Sequence, residues 1–242
     1  MFLNRVWFLM EKYRFYILLA VLFALFFSTP IVNEIVPDAT PMALRVVVTV
    51  LFVLMLLSAV LAVGQTRWTT SLSVVLALPL VTMYLLLIKY DHRALVLWTH
   101  LFGIVFLGYT VVVIVRFLFT ADRVSLNTLC AAICVYLLLG IWWAQSLSTL
   151  ELLHPGSFSA VREENNPVIH FGDEHSIDAL YFSFVTLTTL GYGDITPRSD
   201  TAKMLVALEA LVGQLFLAIL VARLVGLHIT CATRKRREDD GI

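Results

Sequence analysis

Ser176-Ile-Asp-Ala-Leu-Tyr-Phe-Ser-Phe-Val-Thr-Leu-Thr-Thr-Leu-Gly-Tyr-Gly-Asp-Ile-Thr-Pro197 is the stretch on which the fold turns. Its apolar part, residues 177–188, would be about 18 Å long as a helix, too short for a hydrocarbon core of about 30 Å. Ser176 suits an N-cap, and Asp178 suits the positive end of the helix dipole. Beyond it, Gly191 and Gly193 flank a tyrosine in a run that favours irregular backbone over helix. If the surroundings are a membrane, such backbone is permitted at depth only when buried in protein or lining a water-filled path.

The rest of the chain says that they are. Of 242 residues, 60% are hydrophobic and 14% charged, against roughly a quarter charged in soluble domains. A crossing helix needs about 20 apolar residues. Six segments qualify or nearly so: 16–32, 42–64, 71–88, 94–119, 126–150 and 202–229. Charged or proline-containing links separate them, and the longest polar stretch, 154–175, reads as a loop. The sequence therefore divides into an interfacial amphipathic segment (1–15), a four-helix transmembrane module (16–123), a two-helix pore-type unit (124–230) containing the loop 176–197, and a short basic-acidic tail (231–242). A cleaved signal peptide is the rival reading of the first segment, but no small-residue cleavage site follows the apolar run.

With the N-terminus inside and six crossings, eleven basic residues fall on the inner side and six on the outer. That bias puts both termini in the cytoplasm of a multi-pass protein of the cell membrane, plasma or bacterial inner. Net charge is zero, which leaves no nucleic-acid footprint. Cys130, Cys134 and Cys231 lack metal or disulfide spacing and read as packing residues.

Thr188-Thr189-Leu190-Gly191-Tyr192-Gly193-Asp194, preceded by a half-length helix and bracketed by two spans, resembles the pore loop of the tetrameric potassium-channel superfamily. Leucine stands where the family pattern T-T-V-G-Y-G-D has valine. The resemblance covers roughly residues 126–229. It implies an all-α membrane fold of six transmembrane helices with a re-entrant pore helix and selectivity-filter loop, assembled as a fourfold tetramer. It also implies a filter of Thr189, Leu190, Gly191, Tyr192 and Gly193, in which backbone carbonyls of Thr189, Leu190, Gly191 and Tyr192, with the Thr189 hydroxyl, replace the hydration shell of K+. One loop per chain against a ring of four implies a homotetramer in the lipid bilayer. No cofactor is expected beyond K+ as permeant ion, and no enzymatic chemistry.

Thr188, Asp194, Tyr181 and Glu209 are expected to support the filter. Relatives often carry an acidic pore-helix partner for the aspartate after the filter; Val185 occupies that position here, which leaves Tyr181 as the donor for Asp194. Glu209, four residues before Gly213 in an apolar span, reads as a strut to Ser183, Thr186 or Thr188, as a residue in outer water, or as a cavity carboxylate. Gly213 reads as a hinge or as a point of close helix packing. Leu217, Val221, Ala222, Val225 and Ile229 are spaced to line a cavity and gate. The fourth span carries Arg116 alone between residues 94 and 119, so strong voltage sensing is not expected. A poorly selective channel, a haem oxidoreductase built on His100 and a non-conducting accessory subunit are the rival functions. His170 and His175 in the outer loop offer a pH-sensitive alternative to plain solvated residues.

Overall fold

The computed structural model describes residues 13–28, 41–64, 66–90, 92–121, 125–160 and 177–239. The first twelve residues, Ser176, His170, His175 and the last three residues of the tail lie outside them. The elements are α1 (Tyr13–Ser28), α2 (Pro41–Val63), α3 (Arg67–Leu87), α4 (Arg93–Thr120), α5 (Leu126–Leu153), β1 (Phe158–Ala160), α6 (Ile177–Leu187), β2 (Ile195–Pro197) and α7 (Asp200–Asp239). Among the described residues five helices are long and apolar enough to cross a membrane: α2, α3, α4, α5 and α7. Over its described residues α1 is shorter, and the remainder of the first expected span lies outside them. This is an all-α membrane protein.

Hydroxyl side chains start three of the long helices. The Thr69 amide donates to Thr66 Oγ1 at 3.3 Å while Thr66 N donates back to Thr69 Oγ1 at 3.1 Å, a reciprocal cap on α3. Ser125 accepts from Thr128 N at 3.2 Å before α5, and Ser199 from Ala202 N at 3.2 Å before α7. Each bond satisfies an amide that the first turn of a helix leaves without an intrahelical acceptor. α3 continues through Pro79, which forgoes one backbone bond, a loss that neighbouring helices make tolerable in membranes.

Packing follows chain order: α2 on α3, α3 on α4, α4 on α5, α5 on α6 and α6 on α7. One apolar cluster takes Phe15 from α1, Met55 from α2, Leu80 from α3, Phe106 and Ile114 from α4, Leu138 from α5 and Leu187 from α6. It runs across the boundary drawn at residue 123 between the module and the pore unit. Polar side chains tie the same seam. Trp142 Nε1 donates to the Ile104 carbonyl at 2.9 Å and Gln145 Nε2 to Tyr84 Oη at 3.3 Å across it, while within the module Tyr109 Oη of α4 donates to the Thr69 carbonyl of α3 at 3.0 Å. With little water to compete, such groups pair across helices.

Beyond α5, where the sequence predicts only loop, the chain forms a strand pair. β1 pairs antiparallel with β2, with Phe158 opposite Pro197, Ser159 opposite Thr196 and Ala160 opposite Ile195. The Glu151 carboxylate holds the approach, accepting from Gly156 N at 2.6 Å and Phe158 N at 3.2 Å. The clip fastens the chain after α5 to the chain just past Asp194, so both ends of the irregular loop have fixed anchors.

Candidate functional site

α6 has 11 residues, about 16 Å of rise, and enters the protein without crossing it. Three neighbours aim it. Ser183 Oγ lies 2.8 Å from the Gly140 carbonyl of α5. The Phe184 ring sits against Gly140, where a Cβ would collide with it, and meets Phe26 edge-on at 5.0 Å. Phe182 packs edge-on against Phe158 at 5.6 Å, which couples α6 to the clip.

What ends α6 builds the site. Leu190 N donates to the Val185 carbonyl at 2.9 Å and Thr189 N to the Thr186 carbonyl at 2.9 Å, with Thr189 at φ 58. This is the paired-bond helix terminus that normally places glycine in the left-handed position. Here a β-branched residue holds it, at a cost of about 1–3 kcal/mol. Gly191 N also turns back to Val185 O, at 3.3 Å. Positive φ recurs at Gly191 (φ 56) and Gly193 (φ 78), while Leu190 and Tyr192 have negative φ. In a strand successive carbonyls alternate sides; reversing the sign of φ at every second residue turns them to the same side. The amides of Thr189, Leu190 and Gly191 face α6, so the carbonyls that share those peptide planes, those of Thr188, Thr189 and Leu190, point away from it. Thr188 through Asp194 are all exposed. The loop is thus open on one side and backed on the other by the C-terminus of α6, with its partial negative charge.

The other residues singled out in the sequence fall into two groups. Tyr181 Oη donates to Asp194 Oδ2 at 2.8 Å, tying the first turns of α6 to the end of the loop. Thr188 Oγ1 donates to the Phe184 carbonyl at 2.6 Å. Glu209 is 0% exposed, with Oε1 at 2.5 Å from Ser183 Oγ. α7 stays helical through Gly213, which lies flush against the end of α6: a Cβ there would come within 2.5 Å of the Leu187 carbonyl. Val221, Ala222 and Val225 form a second group far along α7, all exposed; the side chain of Ile229 lies outside the described residues.

Two further residues of this region have partners that no sequence motif indicates. Gln214 Nε2 donates to Thr189 Oγ1 at 3.4 Å; a lone amide in an apolar span was the available signal. Arg223 donates to the carbonyls of Leu118 (3.0 Å), Phe119 (2.5 Å) and Ala121 (3.1 Å), and its guanidinium lies 5.0 Å from the Phe119 ring centre. It thereby caps the C-terminal end of α4 from α7, and only the tertiary fold could reveal that partnership.

We expect Tyr181→Phe to weaken the hold on Asp194 without disturbing α6. Sustained current in voltage-clamped bilayers should decline faster than in the parent, at unchanged initial conductance. Identical time courses would remove Tyr181 from the support of the loop.

Helices long and apolar enough to cross a membrane, a half-length helix and an exposed loop of alternating φ at its tip are the parts of a channel pore. Residues 158–228 match a family model described as ion channel. The chain is 36% identical over 106 residues to two-pore potassium channel 2 of Arabidopsis thaliana, covering 43% of this chain and 20% of the relative. It is 37% identical over 90 residues to two pore potassium channel c of Oryza sativa subsp. japonica (37% and 16%). It is 41% identical over 46 residues to a hyperpolarization-activated voltage-gated potassium channel of Methanocaldococcus jannaschii (19% and 20%). The matched region spans no more than a fifth of any of these three proteins. The pore unit is therefore similar to ion channels and to proteins named as potassium channels.

Proposed function

We propose that this chain is a subunit of a potassium-selective channel that conducts K+ passively through the carbonyls of Thr189, Leu190, Gly191 and Tyr192 and the Thr189 hydroxyl, with no other cofactor. The observation that carries the reading is the alternating φ of residues 189–193, with the amides of Thr189, Leu190 and Gly191 turned onto α6. Such a row matches the hydration oxygens of a monovalent cation only when several rows face one another. The plant relatives are named as two-pore channels. This sequence holds the Thr-Leu-Gly-Tyr-Gly run once, so a ring of four such runs takes four chains, a homotetramer. α7 leaves room for that assembly: Met204 is 71% exposed and Leu211 57% exposed in the single chain. Such apolar positions call for a neighbouring helix or lipid.

In this reading the protein sits in the cell membrane with both termini in the cytoplasm, Gly213 serves as hinge, and Val221, Ala222, Val225 and Ile229 form the gate. Steep voltage gating needs several charges per subunit, each worth about 2.3 kcal/mol per 100 mV. Within α4 only Arg93 and Arg116 are basic, and Arg93 is engaged with the Leu152 carbonyl at the end of α5. Open probability should therefore depend only weakly on voltage.

The test is reconstitution of the purified chain into potassium-loaded vesicles. Potassium efflux that exceeds sodium efflux many-fold, from a species whose cross-linked mass is four chains, is the expected result. Absence of flux from such tetramers would favour an accessory subunit, and equal sodium flux an unselective channel. In bilayers, a steep sigmoidal dependence of opening on voltage would overturn the weak-gating reading.

A further inference from the structure

We propose that Gln214 is a selectivity-determining residue of the conduction path. In the assembled channel four copies of its carboxamide would form a polar collar at the Thr189 end of the carbonyl row, where an entering monovalent cation exchanges water for amide oxygen. The inference rests on the fourfold reading above and adds a residue to it.

Three observations meet at this position. Gly213 brings the backbone of α7 flush against the Leu187 carbonyl at the tip of α6. A larger residue there would hold α7 off, so the glycine sets the height and closeness at which residue 214 meets the loop. Next, Gln214 heads an exposed stripe whose later members are Ala218, Val221, Ala222 and Val225. It is the one polar side chain on that stripe, placed where the stripe reaches the loop. Lipid contact or helix packing gives no reason for an amide there, and its desolvation is unfavourable unless it finds partners.

The third observation is the contact itself. Thr189 Oγ1 donates its proton to the Thr188 carbonyl at 2.7 Å. The hydroxyl therefore offers only lone pairs outward, one of which accepts from Gln214 Nε2 at 3.4 Å. A hydroxyl has two acceptor sites, so the second stays available to a cation. Because the nitrogen and oxygen of a carboxamide diverge, engaging Nε2 on Thr189 turns Oε1 away from that hydroxyl. The amide thus orients the Thr189 lone pairs and presents a carbonyl oxygen of its own, chemically the same kind of ligand as the backbone row. At 3.4 Å the bond is long, so the side chain can exchange between Thr189 and a passing ion at little cost.

The full chain is to be recorded in planar bilayers with equal potassium on both sides, then with rubidium or sodium replacing potassium on one side. For Gln214→Leu we expect current entering from the side of the α7 C-terminus to fall about fivefold, the equivalent of one hydrogen-bond-sized ion contact. Current in the opposite direction should fall less, giving rectification absent from the parent, and the rubidium-to-potassium permeability ratio should shift. Gln214→Asn keeps the amide on a shorter stem and should recover part of the lost current. A merely structural role would lower channel number in both directions and leave the permeability ratio alone; that pattern overturns the proposal, as does parental behaviour in both variants. If the leucine variant fails to assemble, Gln214→Asn decides: parental rectification and permeability in it overturn the proposal, and a directional change supports it. A parent chain that passes no potassium overturns the conduction reading and this one together.

Discussion

Gly191→Ala is expected to abolish potassium flux while the proposed homotetramer still assembles. Gly191 has φ 56, and a Cβ built there meets no atom within 4 Å of the same chain. Within the subunit, crowding is therefore no obstacle; the obstacle is the backbone. A left-handed L-residue costs about 1–2 kcal/mol, and a symmetric ring incurs that cost once in every subunit. Thr189, two residues earlier, already holds a left-handed position against its β-branched preference. A second strained residue in the same short stretch has a cheap escape: the peptide flips, and one carbonyl of the row turns away. The bonds that orient the loop, Leu190 N and Gly191 N to the Val185 carbonyl, would be strained in the same movement. α6, the clip between β1 and β2, and the exposed face of α7 contain no part of this change, so assembly should survive. Cross-linked mass and vesicle flux on the same preparation check both halves of the expectation. Selective flux at the parental level would mean that the loop is not the filter.

Much of this architecture was legible because hydrocarbon imposes few solutions. Long apolar runs between charged links read as crossing helices, and a half-length run followed by glycines, set between two of them, reads as re-entrant. Five of the six expected spans correspond to helices of sufficient length. The pairing of Tyr181 with Asp194 could be anticipated because Val185 leaves the aspartate without an acidic neighbour on the pore helix. Other features had no sequence signal. The strands β1 and β2 have three residues each, too few for an alternating pattern to register. Arg223 reads as one more basic residue near a membrane boundary; its three carbonyl partners, two in α4 and one at its C-cap Ala121, lie more than a hundred residues earlier. Gly213 was ambiguous for a different reason. A hinge and a close contact ask for the same residue, and the contact with Leu187 emerges only once α6 and α7 are set side by side.

Glu209→Leu should leave channels silent or unstable, whereas Glu209→Gln should conduct nearly as the parent does. The carboxyl group is 0% exposed, and it lies on the line that joins three helices of the pore unit. Ser183 Oγ of α6 stands 2.5 Å from Glu209 Oε1 of α7 and 2.8 Å from the Gly140 carbonyl of α5. A serine hydroxyl has one proton, so it cannot donate to both oxygens at once. Both contacts become hydrogen bonds if the group at position 209 brings a proton of its own, and glutamine does so through its amide while keeping the length of the side chain. Leucine fills similar space but offers no polar atom, so the α6–α7 link disappears at roughly 1–3 kcal/mol per subunit. That link sits one turn before Gly213, where α7 touches the tip of α6. Losing it frees the pore helix to rock against α7 and carries the carbonyl row out of register. Glu209 Oε2 has no hydrogen-bond partner among the described residues, so part of the burial cost is uncompensated in the parent. Thermal stability alone therefore discriminates poorly, because removing an imperfectly paired polar group can raise it. Single-channel records discriminate well. A strut predicts normal unit conductance with long closures, or silence, in the leucine variant. A carboxylate that attracts cations from the cavity predicts reduced unit conductance in both variants. Parental conductance and gating in both would mean that α6 and α7 hold their register without Glu209.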